Sequence, residues 1–217
     1  VYLYKGVKLL VLVAIVGGSG AGKTSVAKKI AEHFADRANV LSMDDYYRDL
    51  PPGMTLKEFN FDDPKAFDFD YFIKNTKKLK DGSPINIPVY NMVTCRREVG
   101  ISTSFFPNDL VIIEGILVLH EPRLRELFDF SVYIDAPADE RLIRRIERDT
   151  IERGRSIESI LTQYRTFVAP SFRAFIEPQK YTCDIILPDG VSNITGMNII
   201  INAIEKMLEI NRQEEGK

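Results

Sequence analysis

"GGSGAGKT", residues 17–24, stands between the unbroken apolar run "LLVLVAIV" (9–16) and the segment "TSVAKKIAEHF" (24–34). The run is rich in β-branched residues and carries no polar interruption. That pattern predicts a strand buried on both faces of a parallel sheet. In the segment behind it, Val26, Ala27, Ile30, Ala31 and Phe34 recur at helical spacing. The stretch between them matches G-x-x-x-x-G-K-[ST], and a strand–loop–helix context is what identifies a phosphate-binding loop. Gly17, Gly18, Ser19, Gly20, Ala21 and Gly22 let backbone N–H groups converge on phosphate oxygens, and the helix start adds its positive end. Lys23 is expected on the β- and γ-phosphates of a bound nucleotide, with the Thr24 hydroxyl on Mg²⁺.

Further along, "NVLSM" (39–43), "DLVIIEG" (109–115), "FSVYIDA" (130–136) and "CDIILPDG" (183–190) read as strands. Residues 69–82 read as a helix with Phe69, Phe72, Ile73, Thr76 and Leu79 on one side and Gly82 at its end. Residues 138–154 and 193–210 read as two more helices. "SPINIPVYNM" (83–92) alternates and holds prolines, which suits an edge strand or hairpin arm, with its partner inside 98–106. Alternating strands and helices predict the α/β class, a sandwich around a central parallel sheet. One domain is expected over 1–217, with 83–106 as a hairpin and about 145–170 as a lid.

The chain has 217 residues, 45% hydrophobic and 28% charged, enough for a proper core. Its formal charge of −2 gives no global basic field for nucleic acid or anionic lipid. Cys95 and Cys183 are too few for a disulfide framework, which suits a reducing, cytoplasmic setting. With Lys5 and Lys8 ahead of it, the first apolar run imitates a signal-peptide core. Cleavage there would remove the strand that supports the loop. The run is also well short of the roughly 20 residues that span a bilayer.

A phosphate-binding loop implies a nucleotide but no reaction. The N-K-x-D guanine reader and the L-S-G-G-Q transporter signature are both missing from the sequence. A small-molecule kinase needs a base near the acceptor hydroxyl, a metal carboxylate and mobile arginines. In "LSMDDYYRDL" (41–50), Asp44 follows a strand end and is the candidate base, while Asp45 reads as an ordinary turn acid. Tyr46 and Tyr47 either wall that cavity or pack beneath it. Glu114, at the end of "LVIIEG", is the candidate Mg²⁺ partner. Arg141, Arg144, Arg145 and Arg148 fall within roughly a 100° arc opposite Leu142, Ile143 and Ile146. For Arg141 and Arg144 a solvated, salt-bridged face is expected, with Glu140–Arg144 and Arg148–Glu152 as the i,i+4 pairs. Arg148 and, beside Gly154, Arg153 and Arg155 are expected to clamp the transferring phosphate.

Taken together, "GGSGAGKT", "SMDDYYRDL", "FNFDDPKAFD", "IPVYNMVTCRR", "VIIEGILVL", "RDTIERGRS", "QYRTFVAPSF" and "YTCDIILPDG" make the chain resemble the uridine kinase family, within the uridine kinase and phosphoribulokinase group. The likeness runs from about Ala14 to Gly190. It implies a three-layer P-loop NTPase sandwich with a β-hairpin at the acceptor site and a helical lid. The implied reaction is ATP-dependent (or GTP-dependent) phosphoryl transfer to a nucleoside 5′-hydroxyl with Mg²⁺, in a homo-oligomer, commonly a tetramer. By position, the resemblance implies Asp44 as base, Asp62 on ribose hydroxyls and Tyr90 on the nucleobase. Arg145, Arg155 and Gln163 would line the acceptor site from the lid, with Arg148 and Arg153 on phosphates. The 189–193 loop would lie near adenine.

One stretch departs from that family. Uridine kinases typically read Y-D-F-x-x-H-x-R where this chain reads "YNMVTCRR" (90–97). Tyr90 and Arg97 fit, whereas Asn91, Met92 and Cys95 replace an aspartate, a phenylalanine and a histidine. A thiol is a weak donor and a weak acceptor, so it does not substitute for imidazole in reading a base edge. Another nucleoside, a sugar phosphate such as ribulose 5-phosphate, and a regulatory protein without turnover stand as alternatives to uridine or cytidine phosphorylation.

Overall fold

The computed structural model describes residues 10–215. Lys5, Lys8 and the first residue of the predicted opening strand, Leu9, lie outside them. The strands are β1 Val11–Gly17, β2 Ala38–Ser42, β3 Ile85–Asn91, β4 Arg96–Phe105, β5 Leu110–Gly115, β6 Phe130–Asp135 and β7 Ile185–Pro188. Five of them form one parallel sheet in the order β2-β5-β1-β6-β7. With β1 at its centre, every residue from Val11 to Gly17 is buried. That explains a run with no polar gap.

Alternate side chains of β1 enter two separate cores. Val11, Val13 and Ile15 pack with Val26, Ile30 and Phe34 of α1 (Lys23–Phe34) and with Ile200 and Ile204 of the closing helix. Leu12, Ala14 and Val16 pack with Phe72 and Leu79 of α2 (Phe69–Lys80) and with Tyr46 and Phe67. Three layers follow from that alternation. At ~1.5–3 kcal/mol per fully buried large apolar side chain, these two cores are the main stabilising contribution. α2 is bounded as its sequence suggests: Asp68 accepts from Tyr71 N at its start, and Gly82 donates to Leu79 O beyond its end. Such a cap is worth about 1 kcal/mol.

β3 and β4 form their own antiparallel pair, with a register shift between Pro88 and Tyr90. After the single turn α3 (Pro122–Arg125) come α4 (Ala138–Ile151) and α5 (Ile157–Gln163). From α5 the chain passes through two widened π-type segments, Tyr164–Val168 and Phe172–Ile176, on either side of α6 (Ala169–Ser171). Pro170 sits between the widened segments; it lacks a donor there, and a wider turn tolerates that. The last helix is α7 (Ile194–Glu215). No helix among the described residues is long and apolar enough to cross a membrane.

Candidate active site

In a parallel sheet all strand carboxyl ends share one edge, and there the candidate residues meet. β1 hands over to the 17–22 loop and α1. The N-cap of α1 is Gly22, in the left-handed region at φ 92°, with no side chain capping the helix and no acid in its first turn. Its first N–H groups are therefore left to a ligand. Gly20, at φ +79°, lies against the Arg141 backbone carbonyl so closely that an added Cβ would collide with it. Lys23 Nζ folds back to donate to Gly18 O at 3.1 Å.

Register delivers the acid. Glu114 on β5 stands opposite Ile15 on one side and Ser42 on the other. Thr24 Oγ1 donates to Glu114 Oε1 at 3.0 Å, and Ser42 Oγ to the same oxygen at 3.4 Å. Burial raises the Glu114 pKa, and Lys23 opposes that rise. Burial lowers that of Lys23, against Glu114 and then Asp44. The cluster offers only oxygen donors, which fits a hard cation such as Mg²⁺. Among the described residues no group of three or more His, Cys, Asp or Glu is placed to cage a metal. A Mg²⁺ here would complete its shell from phosphate and water, as it usually does.

Asp44 lies in the short turn Met43–Tyr46 behind β2, where its N–H donates to Ser42 Oγ at 3.2 Å. One cavity is lined by Lys23, Thr24, Asp44 and Glu114 on one side, and by Asp62, Tyr90 and Cys95 on another. Arg145, Arg148, Arg153 and Arg155 close it. Three buried polar atoms among the described residues have no hydrogen-bond partner: Asp62 Oδ2, Tyr90 Oη and Arg145 Nε. All three residues line this cavity. Arg145 Nε still faces the Asp149 carboxylate at 3.7 Å, whereas Asp62 Oδ2 and Tyr90 Oη each carry the roughly 1–3 kcal/mol cost of an unsatisfied buried polar atom and mark a site shaped for a polar ligand.

Several expectations need correcting. Arg97, expected at the acceptor site because it fits the family motif, does not line the cavity. It donates through Nε to Tyr47 O at 2.7 Å and through Nη2 to Tyr46 O at 3.1 Å, and pairs with Asp68 at 3.2 Å. Gln163 also lies outside the lining, bonded to Arg155 and Leu56 O. Arg141 is not on a solvated face; it is 5% exposed, stacks on Phe172 and donates to Ala136 O beside the phosphate loop. Arg144 does form the surface pair with Glu140. Arg148 pairs with Asp149 at 2.8 Å rather than with Glu152. α4 thus turns Arg141, Arg145 and Arg148 inward and leaves Ile143 51% exposed, because its inner neighbours are the polar loop and cavity rather than a core. Tyr47 walls the cavity while Tyr46 packs beneath it, held by Asn75 at 2.9 Å.

The Phosphoribulokinase / Uridine kinase family model matches residues 12–195. The chain belongs to this family. It is 42% identical over 204 residues to the uridine kinase of Streptococcus pyogenes serotype M5 (strain Manfredo), covering 91% of this chain and 96% of that one. It is 43% identical over 210 residues to the uridine kinase of Streptococcus uberis, covering 93% and 98%. Among solved structures, phosphoribulokinase from Rhodobacter spheroides shares the fold at a TM-score of 0.64 and 15% identity, over 83% of this chain and 70% of that one. The protein is a kinase of this family, with the expected three-layer α/β fold.

Sequence reasoning missed two residues of this phosphoribulokinase/uridine kinase family member. Asp149 lies in the stretch "RDTIERGRS" but was given no role there, and Asp45 was read as an ordinary turn acid. The Asp45 pKa is pushed up to about 6, by burial first and then by Asp44 and Glu114. Its native form therefore keeps a proton that the unfolded chain releases from 3.8 upward, so stability declines as pH climbs from there through about 6. Asp45→Asn removes that penalty. In the nucleotide-free protein its Tm should exceed wild type in mildly alkaline buffer, with the gap closing in acid; a thermal melt series checks this.

Proposed function

We propose that this kinase transfers the γ-phosphoryl group of a nucleoside triphosphate, ATP or GTP, to the 5′-hydroxyl of a nucleoside. The observation that carries the reading is one cavity holding the loop lysine, the strand-end acid, the arginine group and two unpartnered oxygens, Asp62 Oδ2 and Tyr90 Oη. The 42% identity to a uridine kinase over nearly the whole chain supports the nucleoside as acceptor. In this reading Asp44 takes the proton of the acceptor hydroxyl and orients it in line. Asp62 and Tyr90 supply the missing partners of a ribose and a base. Thr24 and Glu114 hold Mg²⁺, which when bound neutralises charge on the phosphates. Segment 145–170 acts as the lid that carries the arginines over the transferring group. The acceptor is the protein's small-molecule partner, and by resemblance the enzyme works in the cytoplasm as a homo-oligomer. Phosphorylation of a panel holding each common nucleoside and ribulose 5-phosphate, with products weighed by mass spectrometry, tests the reading. Nucleotide binding without stimulated turnover across that panel would overturn it.

A second reading keeps the reaction and changes the nucleoside. Cys95 is 2% exposed, lies in the cavity wall and places its sulfur 3.7 Å from Arg155 Nη2. A site that pairs a polar edge discriminates by orders of magnitude, and losing the pairing group relaxes that choice. Cys95→His should raise turnover on pyrimidine nucleosides relative to other acceptors. An unchanged ratio of kcat/KM values in the folded variant would remove Cys95 from acceptor choice.

A further inference from the structure

Asp149 sits in the last turn of α4 with its side chain wholly excluded from solvent. Four guanidinium groups surround its carboxylate: Arg148 Nη2 at 2.8 Å, Arg153 Nη1 at 3.2 Å, Arg155 Nη1 at 3.4 Å and Arg145 Nε at 3.7 Å. All four arginines line the cavity, and Asp149 does not. The backbone builds this convergence. Arg145 stands one helical turn before Asp149, at i−4, and Arg153, at i+4, lies just past the end of α4 and reaches back to the same carboxylate. Gly154, at φ +62°, then reverses the chain, and Arg155 N–H donates to Asp149 O at 3.0 Å. The reversal returns the Arg155 side chain to the carboxylate it has just passed. Arg145 reaches on to Ser19 Oγ at 2.9 Å, tying the group to the phosphate loop.

Four like charges around one cavity repel each other, and in a partly buried setting that repulsion is weakly screened. Left alone they would spread toward water. A single buried carboxylate between them offsets one charge and gives each fork a fixed anchor. Burial alone would raise the Asp149 pKa, yet Arg148, Arg145 and Arg153 together bring it below the usual carboxylate range, so the anchor stays ionised.

We propose that Asp149 is a positioning residue for phosphoryl transfer: it sets the spacing and net charge of the four cavity arginines while touching neither substrate. The inference rests on the kinase reading above. An anchor of this kind acts when charge moves onto the transferring group, so its loss falls on turnover and not on nucleotide affinity.

Asp149→Asn keeps the shape and removes the charge. With the best acceptor from the panel, kcat should fall by about 10²-fold, the usual effect of misplacing groups by about 1 Å, with KM for ATP near wild type. A second measurement reads the arginines directly. Phenylglyoxal labelling, located by mass spectrometry, should quicken at Arg153 and Arg155 and stay unchanged at Arg141, which has no contact with Asp149. Unchanged kcat and labelling would overturn the proposal. So would labelling that also quickens at Arg141, since that reports general loosening. If Asp149→Asn fails to fold, Asp149→Glu takes its place: it keeps the charge but shifts the anchor by one methylene. The same fall in kcat at constant KM supports positioning, and wild-type kcat refutes it. A wild-type protein that phosphorylates nothing in the panel defeats the kinase reading, while the labelling arm still tests Asp149 by itself.

Discussion

Asp44→Asn is expected to lower turnover by about 10²–10⁴-fold, the usual worth of a positioned base, with ATP binding nearly intact. The substitution preserves size and leaves the backbone N–H bond to Ser42 Oγ in place. Met43 below and Tyr46 beside it are fully buried, so the turn itself has little freedom to relax. In the proposed mechanism, what is lost is the ability to take a proton from the acceptor hydroxyl. Asp44 lines the same cavity as Lys23, Asp62 and Glu114. The measurement is a kcat series beside a direct titration of ATP. Wild-type turnover in the variant would strip Asp44 of its role; a parallel loss of ATP affinity would recast it as part of the nucleotide site.

Lys23→Ala should behave differently, losing turnover and nucleotide affinity together. Lys23 is 9% exposed, donates to Gly18 O at 3.1 Å and shares the cavity with Asp44 and Glu114. Deleting one preorganised donor to a developing charge typically removes about 10²–10³ in kcat. In the proposed complex the same donor also meets the phosphates in the ground state, so KM for ATP should climb as well. Steady-state kinetics with circular dichroism as the folding control decide it. A variant that keeps ATP affinity would mean that loop N–H groups alone hold the phosphates.

The central strand, the loop and α1 were legible because each is a local pattern: an unbroken apolar run, glycines at fixed offsets, and a period of 3.6 residues. The edge acids Asp44 and Glu114 were legible for a related reason, since a parallel sheet delivers strand ends to one side. The orientation of α4 was not. Amphipathic reading assigns the apolar stripe to the interior, whereas the surface this helix meets is made of glycines and carbonyls, and arginines fit it better. Arg97 failed for a different cause. Its place in a recognised motif pointed at a ligand, but two backbone carbonyls fifty positions away claimed its donors. Asp149 stayed invisible because its meaning arises only when four separate side chains meet.

That grip of Arg97 has a mechanical consequence. Its guanidinium joins β4 to the carbonyls of Tyr46 and Tyr47, and its backbone N–H reaches Asp49 at 2.7 Å. Hairpin and the turn that carries Asp44 are thereby riveted into one stiff jaw. A molecule entering or leaving cannot prise that jaw apart without breaking several charge-assisted bonds at once.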